Sequence, residues 1–350
     1  MTFINARFLT QRLTGTQRWA LELTGELVRL SKDVELVAPA GNTTTREIEE
    51  AKIHRCGSLK GHLWEQMELP KYLKKRGSPL LVNLCNTAPL RYSPQIVTVL
   101  DLSFIRNPQW FSRGFYVYYR FLVPRIVKRA ERVVTISEFS KRELIELLGV
   151  PAEKIRVIYC GVSAFKADEK SPNRYGRYIL AVSSIEPRKN LKNLILAYRR
   201  LSPEGVKLVV VGSYNERVFK KTELEGLIKD NENIIFTGYL SDGELASLYR
   251  HALVFVYPSF YEGFGLPPVE AMAQGCPVVT SKVASLPEVC GDAALYVNPH
   301  DVEDIKRAIE RVITDEPLRE ELKSKGLKRA ALFSWKTSAR RLLDVIKEVC

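Results

Sequence analysis

Leu253-Val-Phe-Val-Tyr-Pro-Ser-Phe-Tyr261 runs directly into Glu262-Gly-Phe-Gly-Leu-Pro-Pro-Val-Glu270, and then into the helix-like Pro268-Val-Glu-Ala-Met-Ala-Gln274. The first run is short, apolar and rich in β-branched and aromatic residues, as expected of a strand buried on both faces of a parallel sheet. Gly263 and Gly265 then let the backbone approach a ligand. Pro267 and Pro268 suit a first helical turn because they bring no N–H that needs a partner. Strand, glycine turn and helix start together make an anion-binding layout, since the N–H groups of such a turn attract phosphate. Glu262 and Glu270 beside that positive pole are better suited to hydroxyl groups than to phosphate. The stretch therefore reads as a site for phosphate plus polyol. Two glutamates at this spacing are common by chance; the frame of Tyr257-Pro-Ser-Phe-Tyr261 before them and Gly275-Cys-Pro-Val-Val-Thr280 after them carries the reading.

Working outward, similar apolar runs recur. Val34-Glu-Leu-Val-Ala38, Leu80-Leu-Val-Asn83, Ile96-Val-Thr-Val-Leu100 and Arg132-Val-Val-Thr-Ile136 occupy the first half. Tyr178-Ile-Leu-Ala-Val182, Lys207-Leu-Val-Val-Val-Gly212, Asn233-Ile-Ile-Phe-Thr237 and Pro277-Val-Val-Thr280 occupy the second. Helical patterns separate them, which predicts two doubly wound α/β domains, over 1–165 and 175–330. The polar stretch 163–176, broken by Pro and Gly, reads as the linker. Ligands of open parallel sheets bind beyond the carboxyl ends of the strands, so two such domains are expected to face each other across a cleft.

The 350 residues suffice for two cores. No run of 18 uncharged apolar residues occurs, and the start Met1-Thr-Phe-Ile-Asn-Ala-Arg-Phe8 lacks the basic-then-apolar order of a signal peptide. A cytoplasmic protein is expected. Six scattered cysteines (56, 85, 160, 276, 290 and 350) form no C-x-x-C pair, and with four histidines they predict neither structural zinc nor disulfides. The net charge of +13 favours an anionic partner, whether membrane surface, nucleic acid or phosphorylated substrate, although a merely solvated basic surface accounts for it equally well. Gly-x-Gly-x-x-Gly and Gly-x4-Gly-Lys-Ser/Thr are both absent, which disfavours a nicotinamide oxidoreductase or a P-loop ATPase.

The frame around Glu262 and Glu270 resembles the retaining nucleotide-sugar glycosyltransferases of the GT-B fold, family 4 or group 1, and within them the bacterial mannosyltransferases. The resemblance extends over nearly the whole chain. Ser184-Ile-Glu-Pro-Arg-Lys-Asn190 matches the segment that holds the donor diphosphate. It implies that Arg188 grips two oxygens with its fork while Lys189 acts as a mobile point charge. Many relatives carry a further arginine at the place of Ser184. Glu262 is implied to hold donor-sugar hydroxyls, Glu270 the ribose hydroxyls, and the backbone of Phe264, Gly265 and Leu266 to orient sugar or phosphate. Gly238, Tyr239 and Leu240 match the turn that reads the base, although a plain strand-to-helix connection explains that turn nearly as well. Gly212 ends another strand at the same place.

In the first half, Leu13-Thr-Gly-Thr-Gln-Arg-Trp19 resembles the loop that opens onto the donor phosphates, with Gly15 allowing close approach and a helix expected over 19–30. Val97-Thr-Val-Leu-Asp-Leu-Ser103 matches a strand end that usually reads His-Asp; here Leu100 replaces the histidine and Asp101 remains as a catalytic candidate, with local turn capping as the alternative. Ser137 and Ser140 sit where a helix cap is needed. The tail Phe333-Ser-Trp-Lys-Thr-Ser-Ala339 resembles a last helix that returns to the first domain, so 335–350 joins 1–165, with Trp335 as a packing anchor.

The resemblance implies retaining, metal-independent transfer of a hexose from a nucleotide-sugar donor, with GDP-mannose expected and UDP- or dTDP-sugars open. The acceptor is expected to be a glycan or lipid-linked glycan of surface polysaccharide assembly. Trp110 to Arg129 interleaves aromatic and basic residues in a way that suits an anionic bilayer surface, though core packing explains such spacing as well. A nucleotide-sugar 2-epimerase is the nearest enzymatic rival. A nucleic-acid-binding module would rest on charge alone, without a matching motif.

Overall fold

The computed structural model describes residues 1–41, 48–163, 174–183, 186–212, 226–228 and 231–350. Most of the expected linker, along with Ser184 and Ser213, lies outside the described residues. The chain divides into two compact units, Met1–Gly161 with Ser334–Cys350, and Val162–Phe333.

Unit 1 holds β1 (Thr2–Asn5), β2 (Val34–Pro39), β3 (Ile53–Cys56), β4 (Leu80–Asn83), β5 (Gln95–Thr98), β6 (Arg132–Thr135) and β7 (Ile155–Val157). Among the described residues they form one seven-stranded sheet in the order β3-β2-β1-β4-β5-β6-β7, parallel throughout. Unit 2 holds β8 (Arg177–Val182), β9 (Val206–Val211), β10 (Ile234–Gly238), β11 (Val254–Tyr257), β12 (Val278–Ser281) and β13 (Leu295–Val297). These pair, again all parallel, in the order β10-β9-β8-β11-β12-β13. Each order starts at the centre, winds to one edge, then returns and winds to the other, which is the doubly wound arrangement the apolar runs predict.

Burial explains the apolar runs. Phe3, Ile4, Leu36, Val37, Leu81 and Val82 are buried at the centre of the first sheet. In the second, Ile179, Leu208, Val210, Val254 and Val279 pack beneath the helices Leu191–Leu201 and Val302–Thr314. The second of these helices buries Ile305, Ala308, Ile309, Val312 and Ile313, a stripe at helical spacing, and starts at Asp301, whose carboxylate accepts from the N–H groups of Glu303 and Asp304.

The helix Trp335–Lys347 packs in unit 1 against the helix Gly15–Leu30. Trp19 and Trp335 meet at 6.0 Å between ring centroids, and both are buried. Gly161 makes room for this: a Cβ there would lie 2.3 Å from the Trp335 backbone nitrogen. Glu348 closes the seam by accepting from Arg132 Nε (3.0 Å) and Arg156 Nη2 (2.7 Å). The first helix begins at Gly15, four residues before the expected start.

Candidate functional site

In unit 2 the strand order reverses between β8 and β11, and the loops leaving those two strands are tied together. Phe260 N donates to Arg188 O at 2.8 Å. The buried Asn190 amide donates to Pro258 O (2.9 Å) and Pro299 O (2.7 Å), with its backbone in the left-handed region at φ 57°. This stitching brings Arg188 and Lys189 to Glu262. Lys189 Nζ lies 2.6 Å from Glu262 Oε1, and Arg188 Nη1 lies 3.5 Å from Oε2. Tyr257 donates its hydroxyl to Glu262 Oε1 at 2.9 Å, and Arg188 Nε also pairs with Glu186 at 3.0 Å. Ser285 holds the turn itself, donating to the carbonyls of Glu262 (2.8 Å) and Phe264 (3.0 Å).

Electrostatics follow from this packing. Burial works to raise the Glu262 carboxyl, but the charges of Lys189 and Arg188 outweigh it and hold the group below its ordinary value. Burial and then Arg188 draw Lys189 below the usual lysine value, against the pull of Glu262. Lys189 is therefore no mobile point charge: its side chain is 11% exposed and fixed between a carboxylate and the Tyr257 hydroxyl. That corrects the expectation of mobility attached to Lys189 in the sequence.

Gly265 caps the helix Leu266–Ala273 at φ 93°, and a Cβ there would meet Leu286 Cδ2 at 2.7 Å, so the position demands glycine. Pro267 and Pro268 stand in the first turn and leave the backbone N–H groups of Gly265 and Leu266 as its donors; Phe264 is buried just before them. Glu270 follows on the same helix, half-buried, and accepts from the Tyr249 hydroxyl at 3.4 Å. Gly212 N donates to Gly238 O at 3.0 Å, which joins the ends of β9 and β10. Beyond Gly238, Tyr239 is 65% exposed, Leu240 is half-buried, and Ser241 with Glu244 forms a capping box for the helix Asp242–His251. Arg188, Lys189 and Glu262 thus come together directly, with Gly265, Leu266 and Glu270 on the helix that follows.

The remaining candidates lie in unit 1. Gly15 opens its helix with nothing within 4 Å of where a Cβ would stand, so its neighbourhood is clear. Leu100 is buried and donates its N–H to Asn86 Oδ1 at 2.7 Å. Asp101 Oδ1 accepts from the N–H (3.0 Å) and hydroxyl (2.6 Å) of Ser103, so this oxygen caps a local turn. Ser137 caps the helix Glu138–Leu148 by accepting from Ser140 N. The sequence reading missed a buried polar group around Arg7 and Glu65, whose only signal was charge inside otherwise apolar stretches.

The family described as Glycosyl transferases group 1 matches residues 164–329, and Glycosyltransferase Family 4 matches residues 13–164. O-antigen chain mannosyltransferase B of Escherichia coli is 33% identical over 272 residues, covering 74% of this chain and 71% of that protein. The chain belongs to the group 1 glycosyl transferases. The serotype-specific mannosyltransferase WbdA of Escherichia coli is 36% identical over 235 residues, which is 62% of this chain; the match spans 29% of WbdA's own length. Among solved structures, HepE of Anabaena in complex with UDP and glucose matches with a TM-score of 0.78 at 19% identity, covering 99% of this chain and 98% of that one, a likeness of fold.

Proposed function

We propose that this chain transfers a mannosyl residue from GDP-mannose, with retention at the anomeric carbon, to a glycan or lipid-linked glycan in surface polysaccharide synthesis. The observation that carries the reading is the Arg188–Lys189–Glu262 cluster at the carboxyl ends of β8 and β11. Arg188 and Lys189 stand against the buried Glu262 and the more exposed Glu186, so the centre is balanced in charge, and its guanidinium and ammonium groups are what suit a diphosphate leaving group without a divalent metal. Glu262, neutralised in part by its own partners, accepts from donor-sugar hydroxyls; Glu270 serves the ribose. In front-face attack the departing phosphate takes the acceptor's proton, so the protein supplies alignment and charge stabilisation instead of a dedicated base. The mannosyltransferase relatives support the sugar.

A peripheral membrane role fits the helix Arg113–Arg129. It carries five basic residues and no acidic one. Its buried face is Leu122, Val123, Ile126 and Val127, and Phe115 and Tyr119 stack 3.9 Å apart against the core, so part of the aromatic run is packing. The other face exposes Arg113, Val117, Arg120, Phe121, Arg125 and Lys128. Cations around Val117 and Phe121 suit an anionic bilayer surface. Among the described residues no helix is long and apolar enough to cross a membrane.

Calorimetry and thermal shift with GDP-, UDP- and dTDP-sugars in EDTA test the donor, since ligand at 100 times its Kd stabilises by about 2.7 kcal/mol. Selective GDP-mannose binding is expected. Preference for another nucleotide overturns the donor, and no binding at all overturns the transferase reading. An inverted anomer by NMR overturns retention, and release of a free epimer without acceptor favours an epimerase.

A further inference from the structure

The sheet of unit 1 has its own reversal of strand order, between β1 and β4, and a buried polar cluster follows those two strands. Asn5, the last residue of β1, donates from Nδ2 to Glu65 Oε1 (2.8 Å) and to Asn83 Oδ1 (3.0 Å). Arg7 donates from Nε to Glu65 Oε1 (3.2 Å) and from Nη2 to Thr87 Oγ1 (2.9 Å). The side chains of Arg7 and Glu65 are 6% and 1% exposed. Glu65 lies in Trp64–Glu68, a single π-helical turn between the α-helical stretches Gly61–Leu63 and Leu69–Lys74. Such turns are rare and concentrate at functional sites. A buried ion pair gains little over an apolar replacement of the same volume, so neither feature is explained by stability.

The cluster is also incomplete. Glu65 Oε2 and His62 Nδ1 are buried and face each other at 3.5 Å, an ion pair when the imidazole is protonated, and neither has a well-formed hydrogen bond. The Tyr118 hydroxyl is buried without a partner too, on a ring whose centroid lies 4.7 Å from that of His62. Three of the nine such orphaned atoms among the described residues therefore fall in one place. Each orphan carries a desolvation cost that a fitting ligand recovers. The His62 side chain is 38% exposed, so solvent reaches the edge of the cluster there, while the three atoms themselves are covered.

The chemistry selects the ligand. A carboxylate acceptor excludes phosphate, and Arg7 beside it opposes a cation. A neutral group that both donates and accepts satisfies all three atoms, and adjacent sugar hydroxyls do so against the ring of Tyr118. We propose that Glu65, His62 and Tyr118 bind neighbouring hydroxyls of the acceptor's terminal sugar, a proposal that rests on the transferase reading above. Glu65 Oε2 accepts from one hydroxyl, while His62 Nδ1 and the Tyr118 hydroxyl engage the next. Asn5 and Arg7 act as positioning residues that hold Glu65 in its one orientation.

The test uses the full chain with methyl α-mannoside as probe, followed by saturation-transfer NMR, beside GDP-mannose calorimetry. The wild type should show transfer to the probe. Y118F should weaken the probe at least fivefold and leave GDP-mannose affinity within twofold; E65Q should weaken it about tenfold. Y118F removes one oxygen and keeps the ring, so it remains informative if E65Q fails to fold. Intact GDP-mannose binding with no probe signal in the wild type, or an equal signal in Y118F, overturns this assignment and means that ordered water alone fills the cluster. Loss of GDP-mannose binding in the wild type would instead overturn the donor reading.

Discussion

Replacing Lys189 by Met deletes one cation of the unit 2 cluster and leaves Glu262, 7% exposed, with the Tyr257 hydroxyl at 2.9 Å and a single cation, Arg188, at 3.5 Å. At an effective dielectric of about 20, the 2.6 Å contact with Lys189 is worth about 6 kcal/mol of gross attraction and the Arg188 contact about 5 kcal/mol. Desolvation offsets several kcal/mol per ion, so the net effect of breaking the pair from one side is about 3–5 kcal/mol. E262Q, which strands Lys189 instead, should cost a similar amount. The double variant K189M/E262Q leaves neither charge stranded, so it should be more stable than the sum of the two losses by about 2–3 kcal/mol. The assay must be local. All four tryptophans, at 19, 64, 110 and 335, lie in unit 1, so tryptophan fluorescence is blind to unit 2. Native-state hydrogen exchange at the amides of β8 and β11 reads unit 2 directly. Additivity within about 0.5 kcal/mol, or a K189M cost below about 1 kcal/mol, would refute the view that this ion pair is tightly coupled.

Other outcomes follow from single features. G265A forces a left-handed residue at φ 93° and a Cβ at 2.7 Å from Leu286 Cδ2, and should lower unit 2 stability by about 1–3 kcal/mol, with L286A restoring only the steric part in thermal melts. G161A drives a Cβ to 2.3 Å from the Trp335 backbone; since backbone yields poorly, unit 1 should lose about 2 kcal/mol or more by tryptophan-detected urea unfolding. Glu262 and Glu65 are both held below their ordinary value of 4.5. Protonating them therefore favours the unfolded chain, so their contribution is complete above about pH 4.5 and is lost as pH falls below it. E262Q should flatten the acid side of the unit 2 stability curve, and an unchanged slope would contradict the ionised pair. F121D places a carboxylate amid the exposed cations of Arg113–Arg129 and should reduce sedimentation with phosphatidylserine vesicles at low salt several-fold without changing GDP-mannose affinity.

Much of the fold was legible because most strands are dense apolar runs. Leu80–Asn83 is found at the residues expected, and Val34–Pro39, Arg132–Thr135 and Val254–Tyr257 within a residue or so. β1 escaped although it is central, because four residues at a chain start give no period to read. β3, β7 and β13 escaped because they are short and only partly buried. In the site, the glycine turn and its prolines announce backbone geometry, so Gly265 and the helix after it were readable. That Lys189 is locked instead of mobile was not, since it depends on Asn190 and Phe260 tying together loops about 70 residues apart. Nor was the role of Glu65, because a π turn leaves no mark on residue spacing.

The seam between Trp19 and Trp335 also sets an order of events. The chain leaves unit 1 at Gly161 and comes back to it only at Ser334. During synthesis the ribosome therefore releases the whole of unit 2 before the helix that covers Trp19 exists. Until then, unit 1 carries an uncovered aromatic face, a target for chaperones, while unit 2 is free to fold on schedule.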